Sequence, residues 1–196
     1  MGEELGYRYD VEVVDLLASP AHRWDGRPDA ALADGAVDRR DRLEVRAGHG
    51  IVGDRYAGRL AHRDASVTVI AVEALEALEA LAGELGSGPL DPLATRRNVV
   101  LRGAEVEALR GQPFSLDGVL LAGGRPANPC AWLDLALAPG AHRGLRGRAG
   151  IRCAARSDGV LVLGPAVLRS AVPLDRARAG VAVRPVNSTA RDRRGR

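Results

Sequence analysis

Short apolar segments separated by glycine-containing turns run through most of this chain, and they restrict its fold more than any other feature. Segments rich in β-branched residues and leucine occur at 9–17, 42–46, 66–70, 95–101, 114–116, 119–122, 151–155 and 160–163, with a last candidate pairing at 167–168. Asp117-Gly118 and Asp158-Gly159 lie between such segments, and Asp-Gly is a strong signal for a β-hairpin. Short strands at close spacing with turns of this kind are typical of a β-barrel or a β-sandwich.

Helical periodicity is limited to a few places. Leu75, Leu78, Leu81 and Leu85 recur at helical spacing and predict a helix over 72–85. A single helical turn is expected at 105–109, and a short helix at 131–135. We therefore expect a mainly β fold of the α+β type with a few peripheral helices.

The charge of the chain is concentrated at its end. The length of 196 residues suits one domain, which we place at 1–183, followed by a basic tail at 184–196. This tail holds five arginines against one aspartate, so the formal net charge of +3 comes from the tail. The tail is polar and lacks periodicity, which is typical of a disordered segment. The body has no basic stripe with interleaved aromatic residues, so the sequence offers little support for nucleic-acid binding.

Several classes of protein are excluded by residues that the chain lacks. All 28 basic residues are arginine. The chain by itself therefore cannot be a pyridoxal-phosphate enzyme, which needs a lysine for its Schiff base, and it has no Walker-type phosphate loop. Two cysteines and four scattered histidines do not make a usual zinc pattern. Because the sequence has neither an apolar run of about 18 residues nor a signal-peptide pattern, we expect no membrane contact and a cytoplasmic, reducing location.

Cys130 is the residue whose setting points most clearly to chemistry. A strand-like run at 119–122 leads into two glycines, and two prolines then restrict the backbone just before the thiol and the short helix at 131–135. A helix N-terminus and the nearby Arg125 both favour the thiolate, which is the form that reacts and binds metals. The alternative is a buried, inert cysteine. The other cysteine, Cys153, lies in a strand segment, and we expect it to pack in the wall of the fold.

Two other stretches carry candidate anion-binding residues. Asp54 and Arg55 lie in a glycine-punctuated turn at 50–58, where Arg55 and backbone N–H groups can hold an anion, or where the two side chains form only a local ion pair. Arg96, Arg97 and Asn98 open the segment at 95–101. An arginine and an amide suit a phosphate or a pterin group. Strand alternation places Arg96 and Asn98 on one face and turns Arg97 away.

The turn at 50–58, the Arg-Arg-Asn strand, the Pro129-Cys130 pair and a late Gly-Arg-Ala-Gly-Ile segment at 147–151 occur in an order that resembles the MOSC domain family. That family is named after the C-terminal domain of the molybdenum cofactor sulfurases. The resemblance covers about 11–169 and implies a stand-alone member with a closed or partly closed β-barrel. It also implies binding of the molybdenum cofactor (molybdopterin), with Cys130 as the catalytic residue and metal ligand. The expected cofactor contacts are Arg96, Asn98, Asp54, Arg55, Arg125, Asn128 and Arg148.

Three functions are compatible with these residues. The resemblance implies an oxidoreductase that reduces a small N-hydroxylated substrate with electrons from a separate electron-transfer protein. In the second function, Cys130 carries a persulfide, received from a separate cysteine desulfurase, for the assembly of metal–sulfur cofactors. The third is a non-catalytic binding module. The first two use the same thiol, so the sequence separates them poorly.

Overall fold

Ten strands and three α-helices make up the described part of the chain, which in this computed structural model comprises residues 4–21, 38–83 and 90–182. The strands are β1 (Tyr7–Leu16), β2 (Arg42–Arg46), β3 (Gly50–Ile51), β4 (Val67–Ala71), β5 (Val99–Arg102), β6 (Pro113–Leu116), β7 (Val119–Pro126), β8 (Ile151–Ala155), β9 (Gly159–Val162) and β10 (Gly164–Ser170). The helices are α1 (Val72–Gly83), α2 (Leu133–Ala136) and α3 (Ala141–Gly144). Turns of 3-10 helix lie at Leu60–Ala65, Pro92–Thr95, Val106–Leu109 and Arg176–Arg178.

Seven of these strands close into a barrel in the order β1, β10, β6, β7, β8, β4, β5. All neighbours are antiparallel except β4 and β5, which run parallel. Parallel neighbours need a crossover connection, and α1 with the turn at Pro92–Thr95 provides it. Strands β3, β2 and β9 form a separate small sheet. The mainly β fold and the closed barrel expected from the sequence are confirmed.

Side-chain alternation divides the apolar residues between the inside and the outside of the barrel. On β4, Val67 and Val69 belong to the core cluster inside the barrel, whereas Ile70 belongs to a second cluster outside it. That outer cluster joins α1, through Leu75 and Leu78, to the region of α2 and α3. The helices therefore cover one end of the outer face of β4 and β5. The residues before β5 lie at the edge of the covered part.

The strand and helix predictions agree with the structure at most positions. The helix predicted over 72–85 is present as α1, and the residues after Gly83 lie outside the described part of the chain. Asp117 and Gly118 join the antiparallel strands β6 and β7, and their φ angles of 45° and 80° are the positive values that a type I′ turn requires.

Three local predictions are wrong. Asp158-Gly159 does not make a hairpin between β8 and β9, because β9 pairs with β2. The glycines at 123 and 124 do not form a turn, because β7 continues through them to Pro126. The strand predicted at 95–101 begins only at Val99, after the 3-10 turn at Pro92–Thr95 and after Arg96, whose φ of 61° is left-handed. Strand alternation therefore does not govern the directions of Arg96, Arg97 and Asn98.

Some expectations concern residues outside the described part of the chain. These are most of the loop predicted at 21–40, part of the loop at 86–91, and the basic tail at 184–196. The division into a domain at 1–183 and a tail therefore stays a prediction. Within residues 4–21, 38–83 and 90–182, no helix has the length and apolar character needed to cross a membrane.

Gly123 provides a test of the barrel wall. A Cβ at this position would collide with the backbone carbonyl of Leu109, whereas a Cβ at Gly6 would meet nothing within 4 Å. We expect Gly123→Ala to lower the free energy of unfolding by about 1–3 kcal/mol or more, the usual cost of overpacking. Gly6→Ala should change it by less than about 0.5 kcal/mol. Urea denaturation measures both, and equal stabilities would contradict the close approach.

Candidate functional site

Arginine side chains from three segments line a small cavity, which we call the arginine hollow. Arg55 comes from the turn after β3, Arg96 and Arg97 from the segment before β5, and Arg152 from β8. The cavity has a volume of about 60 Å³, which suits a small anionic group rather than a whole cofactor. Its other lining residues are Leu17, Asp54, Tyr56, Thr68 and Asn98.

The arginine hollow lies on the outside of the barrel. Thr68 and Arg152 are partners in the β4–β8 ladder. Each lies between two residues whose side chains pack inside the barrel, so alternation turns both outward. The hollow is thus formed where the outer face of this strand pair meets two loops.

Asn98 holds the polar floor of the hollow together. Its Oδ1 accepts hydrogen bonds from the Thr68 N–H at 2.9 Å and the Thr68 hydroxyl at 2.8 Å. Its Nδ2 donates to the Leu17 carbonyl and to Asp54 Oδ2, both at 3.1 Å. These four bonds use the full capacity of a side-chain amide. A direct contact between Asn98 and a ligand would require one of them to break.

Asp54 anchors its turn and does not pair with Arg55. Its carboxylate accepts from the backbone N–H groups of Ser19 and Tyr56, at 3.3 and 3.0 Å, and from the Asn98 amide. The ion pair considered as an alternative for the 50–58 turn is absent among the described residues.

Arg55 bonds only uncharged oxygens in the described part of the chain. Its terminal nitrogens donate to the Ala21 carbonyl at 3.3 Å and to the Tyr56 hydroxyl at 3.2 Å. The guanidinium lies over the Tyr56 ring, 4.6 Å from its centroid, and His62 packs against that ring at 4.3 Å. The Nε of Arg55 is buried and has no hydrogen-bond partner in the described part of the chain. A buried donor without a partner carries a free-energy cost.

The electrostatics of the hollow are positive. Burial lowers the pKa of Arg152, and the neighbouring charges of Arg125 and Arg55 lower it further. Burial also lowers the pKa of Arg97 to about 10, and the charge of Arg152 adds to this effect. Arg96 is paired with Asp38 at 2.9 Å, so the excess positive charge comes from the other arginines.

Arg97 connects the hollow to the segment that leads to Cys130. It is partly buried, and its guanidinium donates to the carbonyl oxygens of Thr95, Ala127 and Ala149. Ala127 lies three residues before the thiol, and the charge of Cys130 is close enough to raise the pKa of Arg97 slightly. One side chain therefore ties three backbone segments together.

The two cysteines have opposite environments. Cys130 is exposed, so the inert, buried alternative does not describe it. The helix after it, α2, is a single turn, which aligns fewer peptide dipoles than the sequence suggested. Cys153 is fully buried inside the barrel, as expected, and burial raises the pKa of its thiol well above the usual range.

A second cavity lies on the other side of Arg97, and we call it the proline hollow. It has a volume of about 280 Å³, and none of the described residues lines both this cavity and the arginine hollow. It is lined by the Pro126–Pro129 stretch, by the 146–150 segment except Arg148, and by Glu107, Arg110 and His142. Glu107 is buried, and its carboxylate accepts from the Gly150 N–H at 2.8 Å.

The structure brings together only part of the predicted site. Asp54, Arg55, Arg96 and Asn98 line the arginine hollow, and Arg125 acts on it through its charge beside Arg152. Asn128 lines the proline hollow instead. Arg148 lines neither, because its guanidinium donates to the carbonyls of Gly144 and Gly180.

Sequence reasoning missed five lining residues of the arginine hollow: Leu17, Tyr56, Thr68, Arg97 and Arg152. The last had a usable signal, because an arginine between two apolar strand residues must point out of a barrel. Arg97 was dismissed on strand alternation that does not exist at this position.

Comparison with known proteins decides the family. The model of the MOSC domain matches residues 46–167. The chain belongs to the MOSC domain family. The matched range contains the 50–58 turn, the Arg-Arg-Asn stretch and Cys130. A comparison with curated protein sequences gives no match.

Solved structures show the same fold at low sequence identity. The crystal structure of the YUAD protein from Bacillus subtilis is 17% identical, with a TM-score of 0.64, over 85% of this chain and 99% of that one. YiiM from Escherichia coli is 19% identical, with a TM-score of 0.55, over 89% and 76%. YiiM from Geobacillus stearothermophilus is 17% identical, also with a TM-score of 0.55, over 81% and 74%. At these identities the likeness establishes the MOSC fold and no activity.

The cysteine environments predict a simple labelling result. One thiol per native chain should react rapidly with a thiol reagent, because Cys130 is exposed and Cys153 is buried. Cys130→Ser should abolish this rapid reaction, and Cys153→Ser should leave it intact. The second thiol should appear only in denaturant. Rapid labelling of two thiols in the native protein would contradict the structure.

Glu107 predicts a dependence of stability on pH. Burial raises the pKa of Glu107 above its ordinary value of 4.5, although bonds from backbone N–H groups oppose the shift. The folded chain then binds this proton more tightly than the unfolded chain, so the contribution to stability is present at low pH and lost as pH rises. Glu107→Gln should remove that loss. The free energy of unfolding of Glu107→Gln, minus that of wild type, should therefore increase as the pH is raised from below 4.5 to neutrality. Glu44→Gln, at an exposed carboxylate, is the control and should show a smaller rise.

Proposed function

We propose that this MOSC protein binds the molybdenum cofactor, with the phosphate of the cofactor in the arginine hollow and Cys130 as the thiolate ligand of the metal. The supporting observation is the convergence of four arginines on one small cavity, where Arg55 bonds only uncharged oxygens. Guanidinium groups match phosphate oxygens in geometry and charge. The cavity volume of about 60 Å³ fits a phosphate, so the pterin would extend beyond the hollow.

Residues around the hollow have distinct roles in this proposal. Arg55 and Arg152 would bind the phosphate, and Asn98 would hold the carboxylate of Asp54 so that the turn carrying Arg55 keeps its position. Arg97 would position the segment before Cys130 through its bond to the Ala127 carbonyl. Thiolate is a soft ligand that suits such a metal.

The proposed reaction is the reduction of a small N-hydroxylated compound. The N–O bond breaks, two electrons and two protons are taken up, and the products are the N–H compound and water. When bound, the cofactor would supply the redox-active metal, and a separate electron-transfer protein would supply the electrons. A chain with an exposed, unpaired thiol fits a reducing compartment such as the cytoplasm.

The exposure of Cys130 also supports a second candidate function. A sulfur carrier must present its thiol to a desulfurase and then to an acceptor, and an exposed cysteine in a loop allows both encounters. In this function Cys130 holds a persulfide and the arginine hollow binds an anionic part of the acceptor.

Metal analysis separates the two functions. We expect wild-type protein from a host that makes the cofactor to contain about one molybdenum per chain, and Cys130→Ser to contain almost none. Arg55→Gln and Arg152→Gln should each weaken cofactor retention by about 1–3 kcal/mol, the scale of a hydrogen bond to a charged group. Arg156→Gln replaces an exposed arginine just after β8. This variant is the matched control and should retain the metal.

A persulfide assay completes this test. Incubation with a cysteine desulfurase and cysteine, followed by mass spectrometry, shows whether Cys130 gains one sulfur atom. Molybdenum without stable persulfide supports the reductase, and persulfide without molybdenum supports the carrier. A protein that shows neither would be a non-catalytic binding module, and both proposals would be withdrawn.

A further inference from the structure

The proline hollow has the shape and size of a binding site for a small molecule. Its volume of about 280 Å³ lies near the lower end of the range of about 300–1,000 Å³ that is usual for small-molecule sites. Its walls are largely apolar because Pro126, Ala127, Pro129 and Ala149 contribute to them. The phosphate-sized arginine hollow is separate from it, since no residue in the described part of the chain lines both.

The charges around this cavity favour an anion. Arg110 and Arg146 both line it, and among the described residues Glu107 is the only acidic one in the lining. The side chain of Arg146 makes no hydrogen bond or ion pair within the described ranges. Arg110 uses its Nε to bond the backbone carbonyl of Glu107, at 3.1 Å, and not the carboxylate. Both arginines therefore keep a net charge that faces the cavity.

The buried carboxyl group does not cancel this preference. Glu107 is only 5% exposed, and its Oε1 is engaged by the Gly150 N–H. Even when Glu107 is ionised, this one carboxylate lies beside two lining arginines, so the lining keeps a net positive charge.

We propose that the proline hollow binds a small organic anion, a monocarboxylate with a flat apolar body, whose carboxylate contacts Arg146 and Arg110 and whose body packs against the two prolines. The ligand would lie against the segment that leads directly to Cys130. This inference does not rest on the proposed function, because it concerns a separate cavity and is tested without cofactor and without an activity assay.

Benzoate is a suitable probe, with benzamide as the neutral analogue and benzamidine as the cationic one. Each is titrated into isotopically labelled, cofactor-free full chain, and amide NMR signals are followed. Benzoate should move the signals of Gly147 and Gly150, which line the cavity. It should bind at least about tenfold more tightly than benzamide or benzamidine. Equal affinities for benzoate and benzamide would overturn the proposal.

Two matched variants locate the charge that is responsible. Arg146 and Arg143 are both exposed and near α3, but only Arg146 lines the cavity. Arg146→Gln should weaken benzoate binding about fivefold or more, and Arg143→Gln should leave it unchanged. Because both side chains are exposed, both variants should fold, and their amide spectra verify this. Equal losses in the two variants would indicate non-specific attraction and overturn the proposal. If benzoate moved the amide signals of Tyr56 and Thr68 instead, it would bind in the arginine hollow, and this result would also overturn the proposal.

Discussion

The partly buried guanidinium of Arg97 forms the interactions on which the rest of the site depends. It bonds three backbone carbonyls, from the 3-10 turn before β5, from the residue just after β7 and from the segment just before β8. Burial of a charge is costly unless hydrogen bonds compensate it, and here the compensation comes from carbonyl dipoles rather than from a paired carboxylate. Carbonyl bonds fix the geometry without cancelling the charge. The same residue can therefore join three segments and still contribute positive potential to the arginine hollow.

The acidic residues near the arginine hollow also fix the geometry of the site. Asp54 receives bonds from two backbone N–H groups and from Asn98, and Asp38 pairs with Arg96. Two carboxylates beside four lining arginines leave the hollow with a positive formal charge. Arg55 bonds only neutral oxygens, and the Arg152 side chain has no hydrogen bond or ion pair within the described residues, so these two charges are the ones most available to a ligand.

Sequence reasoning succeeded where local pattern decides structure and failed where tertiary contacts decide it. Leucine spacing predicted α1, and Asp117-Gly118 predicted the β6–β7 turn, because each pattern satisfies its own local requirement. Gly123 was misassigned as part of a turn, because its role is to let the Leu109 carbonyl approach the strand, and no local signal reports a distant neighbour. The left-handed Arg96 and the buried Glu107 had no local signal either.

The closed barrel itself explains why the arginine hollow lies outside it. Its interior is filled by apolar side chains such as Phe114, Leu121 and Ile151, all fully buried, so polar chemistry has no room there. Polar residues can converge only where loops cross the outer face. The loop that carries Cys130 is closed at its base by the bond from the Ala127 N–H to the Gly150 carbonyl, at 2.8 Å, and by Arg97. A loop with a fixed base and an exposed middle holds its thiol at a defined place beside both hollows while leaving it accessible to a partner.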